Sequence, residues 1–325
     1  MAEETKIVPD FEQPLLELEQ KINQLSQSDS DRTSAEINQL KEQYQQLKKQ
    51  IYSNLTNWQR IQLSRHPQRP YTLDYLAHIF NDYQLLSGDR CFGIDGAIVG
   101  GLAMLENQTV IFVGHQKGRT LEENLKRNFG SAQPEGYRFS RRMFLLARQF
   151  KFPLITFIDT PGAFPGIEAE QRGQATAIAE NILLMSELPV PIISVVIGEG
   201  GSGGALGIGV ADRLLLLENS YYSVISPEGC AAILFRDAAK AKEAAEALKI
   251  TARDIYQLGC ADEIIPEPLG GAQADIGETA RNIKEAIQRH LRELTALSVK
   301  QLLNQRYKKY QIIGENGGKN VRKKH

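Results

Sequence analysis

The sequence predicts an α/β protein with a parallel sheet, and three observations carry that prediction. Apolar runs of strand length alternate with stretches of helical period. Two consecutive units, starting at Leu154 and Ile192, share one plan: buried strand, glycine-containing loop, helix. In such sheets ligands bind at the carboxyl ends of the strands. That rule places Thr160–Phe164 and Gly198–Gly204 along one edge of one sheet.

Residues 11–58 read as a helical arm. Phe11, Leu15, Leu18, Ile22 and Leu25 recur at intervals of 4, 3, 4 and 3, which is one face of a helix. Pro14 falls near its start, where proline is tolerated. The polar stretch Ser26–Ser34 breaks the pattern, and Thr33 with Glu36 has the form of a capping box. Ile37, Leu40, Tyr44, Leu47 and Ile51 resume the spacing, so an antiparallel hairpin of helices is expected. Two helices bury little by themselves, so their apolar stripe is expected to pack on the main domain or on a partner chain. The prolines of His66-Pro67-Gln68-Arg69-Pro70 exclude regular helix and mark a linker.

From Tyr71 the pattern becomes α/β. Ala97–Leu105 and Thr109–Gly114 are apolar runs joined by Glu106-Asn107-Gln108, which predicts a hairpin. Lys117–Arg127 and Tyr137–Gln149 are helical stretches, the first strongly charged. Leu154–Ile158 is a buried strand leading into Asp159-Thr160-Pro161-Gly162-Ala163-Phe164-Pro165-Gly166, and Ala175–Glu187 is the helix after it. Ile192–Ile197 is the next strand and ends in the glycine run. Strands at Leu214–Leu217 and Tyr222–Ile225, a helix over Ala238–Leu248 and long amphipathic helix over Asp275–Tyr310 follow. The expected division is a helical arm at 1–65, a main domain at 66–312 and a basic, disordered tail at 313–325.

Composition narrows the function classes. Of the residues, 42% are hydrophobic and 24% charged, and the formal net charge is −1, which argues against a dedicated nucleic-acid binder. The cysteines, Cys91, Cys230 and Cys260, form no CxxC pair, so no zinc ribbon is expected on this chain. Sparse cysteine, an acidic N-terminus and no apolar run of membrane-span length point to a soluble cytoplasmic protein without a transit peptide.

Five glycines stand within Gly198–Gly204. Such density is entropically costly and suits a place where bare N–H groups meet a ligand. Gly198, Gly200 and Gly203 match the G-x-G-x-x-G of dinucleotide folds, and Glu218 lies 20 residues beyond Gly198, where a ribose-binding acid belongs. Against this, Glu199 puts a carboxylate into the cradle, and the helix before Arg213 is short. Gly200, Ser202 and Gly204 match the G-x-S-x-G of a hydrolase elbow, with Ser202 as nucleophile and His290 as base, yet His290 sits in an amphipathic helix. An oxyanion hole without a protein nucleophile fits as well, with peptide N–H groups at Gly203 and Gly204. Close helix–sheet packing would also favour glycine here.

The motifs together resemble one family. Phe11-Glu12-Gln13-Pro14, His66–Tyr75, Gly114-His115-Gln116-Lys117-Gly118-Arg119, Asn128-Phe129-Gly130, Pro134–Arg138, Ile158–Gly166, Gly198–Leu206, Ser226-Pro227-Glu228-Gly229-Cys230 and Ile264–Gly271 run in the order found in the carboxyltransferase alpha subunits of bacterial and plastid-type acetyl-CoA carboxylase. The resemblance extends from about Phe11 to Tyr310 and departs where the family often has an Asp-Asp pair; here Ile94-Asp95 leaves one acid. It implies a crotonase-like (ClpP/crotonase) spiral of ββα units with an N-terminal helical hairpin and C-terminal helices. It implies half of a biotin-dependent transferase that makes malonyl-CoA from acetyl-CoA, the committed step of fatty acid biosynthesis. A beta subunit, in a heterotetramer of two alpha and two beta chains, carries the zinc and most of the acetyl-CoA site. Biotin arrives on a separate biotin carboxyl carrier protein, charged by biotin carboxylase, and none is attached to this chain.

By the same resemblance the N–H groups of Gly203 and Gly204 hold the biotin enolate oxygen. Gly200, Gly201 and Ser202 belong to the substrate-binding run, with Ser202 as a small loop residue. Thr160, Gly162, Ala163 and Phe164 are expected either to wall the biotin pocket or to form a tight turn on Pro161-Gly162. Lys117, Arg119, Arg138, Arg141 and Arg142 are candidate contacts for CoA phosphates or for an acidic face of the carrier, with a solvated helix face as the alternative.

Overall fold

Alternating side-chain direction, rather than helix content, organises this chain. The structure is a computed structural model that describes residues 8–27 and 31–313, with backbone only for 31–33. The arm is α1 (Gln13–Ser26) packed on α2 (Asp31–Ser53), followed by α3 (Asn57–Ser64) and, across the proline linker, α4 (Thr72–Ile79). The predicted hairpin of helices is present. Its second helix begins at Asp31, ahead of the expected Thr33 cap, so Thr33 lies within the first turn.

Three antiparallel strands open the sheet: β1 (Asp82–Leu86), β2 (Ile98–Leu105) and β3 (Gln108–His115). Helices α5 (Leu121–Lys126) and α6 (Pro134–Phe150) lead to β4 (Leu154–Thr160), which pairs parallel to β3. Helices α7 (Ile167–Gln171) and α8 (Gln174–Glu187) lead to β5 (Ile192–Gly201), and the short α9 (Ser202–Leu206) to β6 (Arg213–Leu217). Then come β7 (Tyr221–Ser223), α10 (Pro227–Phe235), α11 (Ala241–Leu248), α12 (Ala252–Gln257), β8 (Glu263–Ile265), α13 (Ile276–Thr295) and α14 (Val299–Ile312). Among the described residues the sheet order is β1-β2-β3-β4-β5-β6-β8, with β7 beside β5. The sheet is therefore mixed rather than wholly parallel, because the hairpin residues Glu106-Asn107 turn β2 straight back into β3.

The inner strands are buried on both faces, which is why they read as continuous apolar runs. Leu154, Ile158, Ile192, Val196, Leu214 and Leu216 point to the side covered by α6 and α8. Ile155, Phe157, Ile193, Val195, Leu215 and Leu217 point to the side covered by α4 and α13. Thr156 is the polar exception on the first side; its hydroxyl donates to Ile208 O and lies 2.7 Å from the Ser194 hydroxyl, so the pair is satisfied in the core.

The glycine run is not all loop. Strand β5 continues through Gly201, paired with β7 (Glu199 to Tyr221, Gly200 to Tyr222, Gly201 to Ser223) and bridged to Thr160 at Gly200. Glycine is required by crowding there: a Cβ on Gly200 would come 2.3 Å from the Tyr222 ring. The basic tail lies outside the described residues beyond Ile313.

One buried ion pair ties the C-terminal helix to the sheet. Arg306 and Asp212 are 1% and 2% exposed and 2.7 Å apart. The same guanidinium donates to the carbonyls of Met185, Leu188 and Val190, which close α8 and enter β5. Removing one partner strands a buried charge. Arg306→Leu is predicted to lower the unfolding free energy by about 3–5 kcal/mol in urea titration, and Arg306→Leu with Asp212→Leu to recover part of that loss.

Candidate active site

The carboxyl ends of β4 and β5 meet as predicted, and their loops pack backbone to backbone. A Cβ on Gly201 would lie 2.2 Å from Pro161 O, and one on Gly204 would lie 2.6 Å from Ala163 N and from Gly162 C. No side chain fits between the two segments. Thr160 turns back on its own loop, its Oγ1 donating to Gly162 O at 2.8 Å and accepting from Gly162 N at 3.1 Å. Gly162 has φ +151°, which favours glycine, and open space where its Cβ would be. Phe164 donates its N–H to Ala132 O and lays its ring over Gly166.

Gly203 differs from Gly204. A Cβ on Gly203 would meet only Ile178 Cδ1, at 3.8 Å, so this position is open while Gly204 is buried against the facing loop. Both fall in the first turn of α9, where amide N–H groups have no intrahelical acceptor. Ser202 and Gly203 line an apolar cavity of about 400 Å³ together with Leu206, Tyr222, Val224, Ile255, Cys260 and Tyr310. Burial pushes the Cys260 thiol and the Tyr222 hydroxyl up, so both stay protonated at neutral pH. Of the predicted site residues, only Ser202 and Gly203 line this cavity. Thr160, Gly162, Ala163, Gly200, Gly201 and Gly204 do not line it and form instead the packed wall where the two loops meet.

Beneath that wall lies a charge network that the sequence does not announce. Lys117 Nζ donates to Asp159 Oδ1 at 2.7 Å and to Glu199 Oε1 at 2.8 Å. Glu199 Oε2 accepts from Arg65 Nε at 2.7 Å and from the Tyr221 hydroxyl at 2.8 Å. Arg65 also reaches Glu228 at 2.6 Å, on the first turn of α10. Burial by itself would raise the Glu199 pKa, but Lys117 and Arg65 outweigh it and hold the carboxyl down to about 2. Burial raises Asp159, and the neighbouring Glu199 charge adds to that. Burial would lower Lys117, yet its two carboxylates keep it firmly protonated.

This geometry sorts the candidates. Gly198 and Gly200 belong to a strand, so no phosphate-binding turn forms, and Glu218 is paired with Arg253 at 3.3 Å. His290 lies 2.6 Å from Glu263 at the start of β8. Register places Glu263 beside Leu215 and Leu215 beside Val195. Val195 is six residues before Gly201, roughly 20 Å along the strand, so Ser202 has no histidine base there. Among the five cations, Arg119 lies over the Tyr71 ring and donates to Pro67 O, while Arg138 pairs with Asp89 and Glu135. Arg141 sits 3.6 Å from Glu180, and Arg142 donates to Ser87 O. Asp95, the remaining acid of the family pair, accepts from Ala97 N, Gln133 N and Asn128 Nδ2, and burial raises it to about 6. It braces the turn before α6.

A family model described as acetyl co-enzyme A carboxylase carboxyltransferase-like matches residues 8–314. The chain belongs to this family. Carboxyltransferase alpha subunits of acetyl-coenzyme A carboxylase from Geobacter metallireducens and Thermus thermophilus are similar throughout. The first is 54% identical over 93% of this chain and 95% of its own length. The second is 57% identical over 82% and 85%. The fold is that of solved carboxyltransferases with the crotonase-like architecture. Transcarboxylase 12S aligns at TM-score 0.55 and 22% identity over 66% of this chain, and the Pseudomonas aeruginosa geranyl-CoA carboxylase beta subunit at 0.53 and 16% over 78%. The chain spans 40% and 45% of those two proteins. Among the described residues no cluster of His, Cys, Asp and Glu could hold a metal, and no helix is long and apolar enough to cross a membrane.

The glycines separate experimentally. Gly204→Ala is predicted to lower stability by about 1–3 kcal/mol, because the facing loop must move. Gly203→Ala is predicted to stay within about 1 kcal/mol of wild type by thermal unfolding, having room and a better helix former. Glu199 gives a pH test. Its folded pKa, about 2, lies below its ordinary 4.5, so its stabilisation is present above pH 4.5 and is lost as pH falls toward 2. The stability gap between wild type and Glu199→Gln is therefore predicted to narrow over that window in urea titrations.

Proposed function

We propose that this chain is the alpha half of the carboxyltransferase of acetyl-CoA carboxylase and that its glycine edge receives biotin. The observation that carries the proposal is Gly203, an uncovered first-turn glycine on the rim of a large apolar cavity. The cavity's low polarity suits a flat, mostly apolar bicyclic ring, and the bare N–H suits its carbonyl oxygen. A peptide donor in a dry site stabilises developing negative charge without reorganising, and removal of one such donor typically costs ~10²–10³ in rate. Gly203 is the main donor in this proposal. Gly204 contributes its N–H while its missing side chain lets the Thr160–Ala163 loop close behind it.

Carboxybiotin supplies the transferable carboxyl group and, once that has left, a basic nitrogen for the acetyl methyl proton. The chain's own residues bind, orient and exclude water. Ser202 acts as a small rim residue, with no base to activate it. Leu206, Val224 and Ile255 give the cavity an apolar lining. A beta subunit supplies the thioester side and holds the zinc, and biotin carboxyl carrier protein delivers the ring after its carboxylation by biotin carboxylase. The assembly is a heterotetramer of two alpha and two beta chains in the cytoplasm, serving fatty acid biosynthesis.

Reconstitution tests this. The chain by itself is predicted to form no malonyl-CoA and to do so when mixed with its beta subunit. Gly203→Val keeps the N–H but puts a side chain where the ring must approach it, and is predicted to cut turnover about 10²-fold in a folded, assembled complex, as loss of the donor would, while Ser202→Ala keeps most of it. Full turnover by Gly203→Val would place the oxyanion donors elsewhere, and labelling of Ser202 by a phosphonate would make the protein a serine hydrolase.

A further inference from the structure

Several motifs of the sequence have no place in the oxyanion chemistry above: Gly114–Arg119, Asn128-Phe129-Gly130, Asp159, Glu199, Ser226–Cys230 and the Arg65 step into the linker. The structure brings Lys117, Gly130, Asp159, Glu199, Arg65 and Glu228 from these segments together at the ends of β3, β4 and β5. Lys117 extends from the end of β3 and meets carboxylates from the ends of β4 and β5. Arg65, from the end of α3, closes the far side of Glu199, and Glu228 of α10 closes Arg65. Lys117 and Arg65 balance Asp159 and Glu199, so the interior of the cluster is neutral.

Two glycines record how tightly the cluster is built. A Cβ on Gly198 would lie 2.5 Å from Asp159 Oδ1, and one on Gly130 would lie 2.8 Å from Lys117 Cγ. The Asp159 carboxylate takes the space of a side chain at Gly198, while Gly130 combines φ +82° with the stem of Lys117 over its Cα. Asp159 Oδ1 also accepts the backbone N–H of Glu199 at 2.9 Å. The carboxylate that opens the Thr160–Ala163 loop therefore holds the backbone that opens the glycine run. A buried ion pair adds little net stability over a hydrophobic replacement, so such a costly arrangement is better explained by the geometry it fixes.

We infer that Lys117 is a positioning residue: its ammonium, by bridging Asp159 and Glu199, sets the distance between the Thr160–Ala163 loop and the Gly198–Gly204 segment, and so aims the Gly203 N–H. This rests on the proposed transferase function for its kinetic consequence but not for its structural one. The cation touches no reacting atom. It is 11% exposed and is not among the residues that line the apolar cavity. The other groups around it are Tyr221 on Glu199, His115 under the Asp159 N–H at 3.4 Å, and Arg69, Tyr71 and Tyr75 beyond Asp159. Burial, with the Lys117 charge beside it, holds His115 neutral, down to about 3, so the cations facing the two carboxylates are Lys117, Arg65 on Glu199 and Arg69 beyond Asp159.

The test uses Lys117→Ala and Lys117→Met in the complex with the beta subunit, assayed as carboxyl transfer between malonyl-CoA and free biotin. A misplacement of about 1 Å at a donor can cost 10²-fold, so kcat is predicted to fall about 10²-fold, with KM for malonyl-CoA within about threefold of wild type. Propylammonium is predicted to restore at least tenfold of the activity of Lys117→Ala, and propanol, of similar shape without charge, none. Hydrogen exchange supplies a readout independent of activity. Amides of residues 160–163 and 198–204 are predicted to exchange faster together in Lys117→Ala and to be protected again by propylammonium. If the lysine variants do not fold, Glu199→Gln, nearly isosteric, carries the same comparison of exchange and kcat. Unchanged exchange in both segments, wild-type kcat, or equal rescue by propanol would each overturn the inference. Exchange that behaves as predicted in a complex without transfer activity would leave the lock standing and overturn the proposed function instead.

Discussion

Close approach of two backbones at the carboxyl ends of β4 and β5 is the constraint on which the rest depends. The strands pair in parallel from Leu154 to Ile158, shift register, and pair again at Thr160 and Gly200. That shift lets the Pro161 carbonyl and the Gly162–Ala163 peptide lie where side chains of Gly201 and Gly204 would otherwise be. Two loops that ordinary residues would hold apart become one surface. The price is a run of glycines whose backbone entropy must be offset by packing on both sides of the sheet. The two apolar layers supply that, one under α6 and α8 and the other under α4 and α13.

Electrostatics then completes what packing begins. Bringing strand ends together also brings Asp159 and Glu199 together, and two carboxylates in a dry interior repel strongly. Lys117 resolves the conflict from β3, and Arg65 from the helix before the linker. The network thus couples the strand edge to α3, whose Ile61 and Leu63 are themselves fully buried. Arg69, a few residues on, repeats the device: it pairs with Glu267 at 2.6 Å and donates to Ile197 O. The linker that the prolines mark is therefore a fixed strut across the sheet end.

What was legible in the sequence follows burial. Strands β2 to β5 stand out because their middles are covered on both faces and run apolar or small, with the charged residues Asp159 and Glu199 only toward the carboxyl ends. Strand β1 does not, since Asp82–Gln84 alternate no faces and are exposed, and β8 has three residues. Helix α10 has no counterpart among the expected elements; its first turn, Pro227 to Gly229, is capped by Ser226. At the site, glycine density pointed to Gly203 and Gly204 together. Their different duties depend on which chain lies opposite, and no local pattern encodes that. The charge network was least legible: Lys117 meets partners 42 and 82 residues away, and Arg65 meets Glu199 134 residues away. Two clues were present in hindsight. Glu199 is an acid inside a glycine run, and Asp159 closes an apolar strand; each needed a buried cation.

The Arg306 clamp also bears on when this protein can fold during synthesis. The carbonyls it satisfies lie 116 to 121 residues earlier in the chain, at the entrance to the central strand β5. Asp212, just before β6, waits 94 residues for its counter-ion. Until residue 306 leaves the ribosome, the middle of the sheet holds an unpaired buried carboxylate and open carbonyls. Because Arg306 follows every described strand in the chain, this closure of the sheet's middle can form only after all of them have been made.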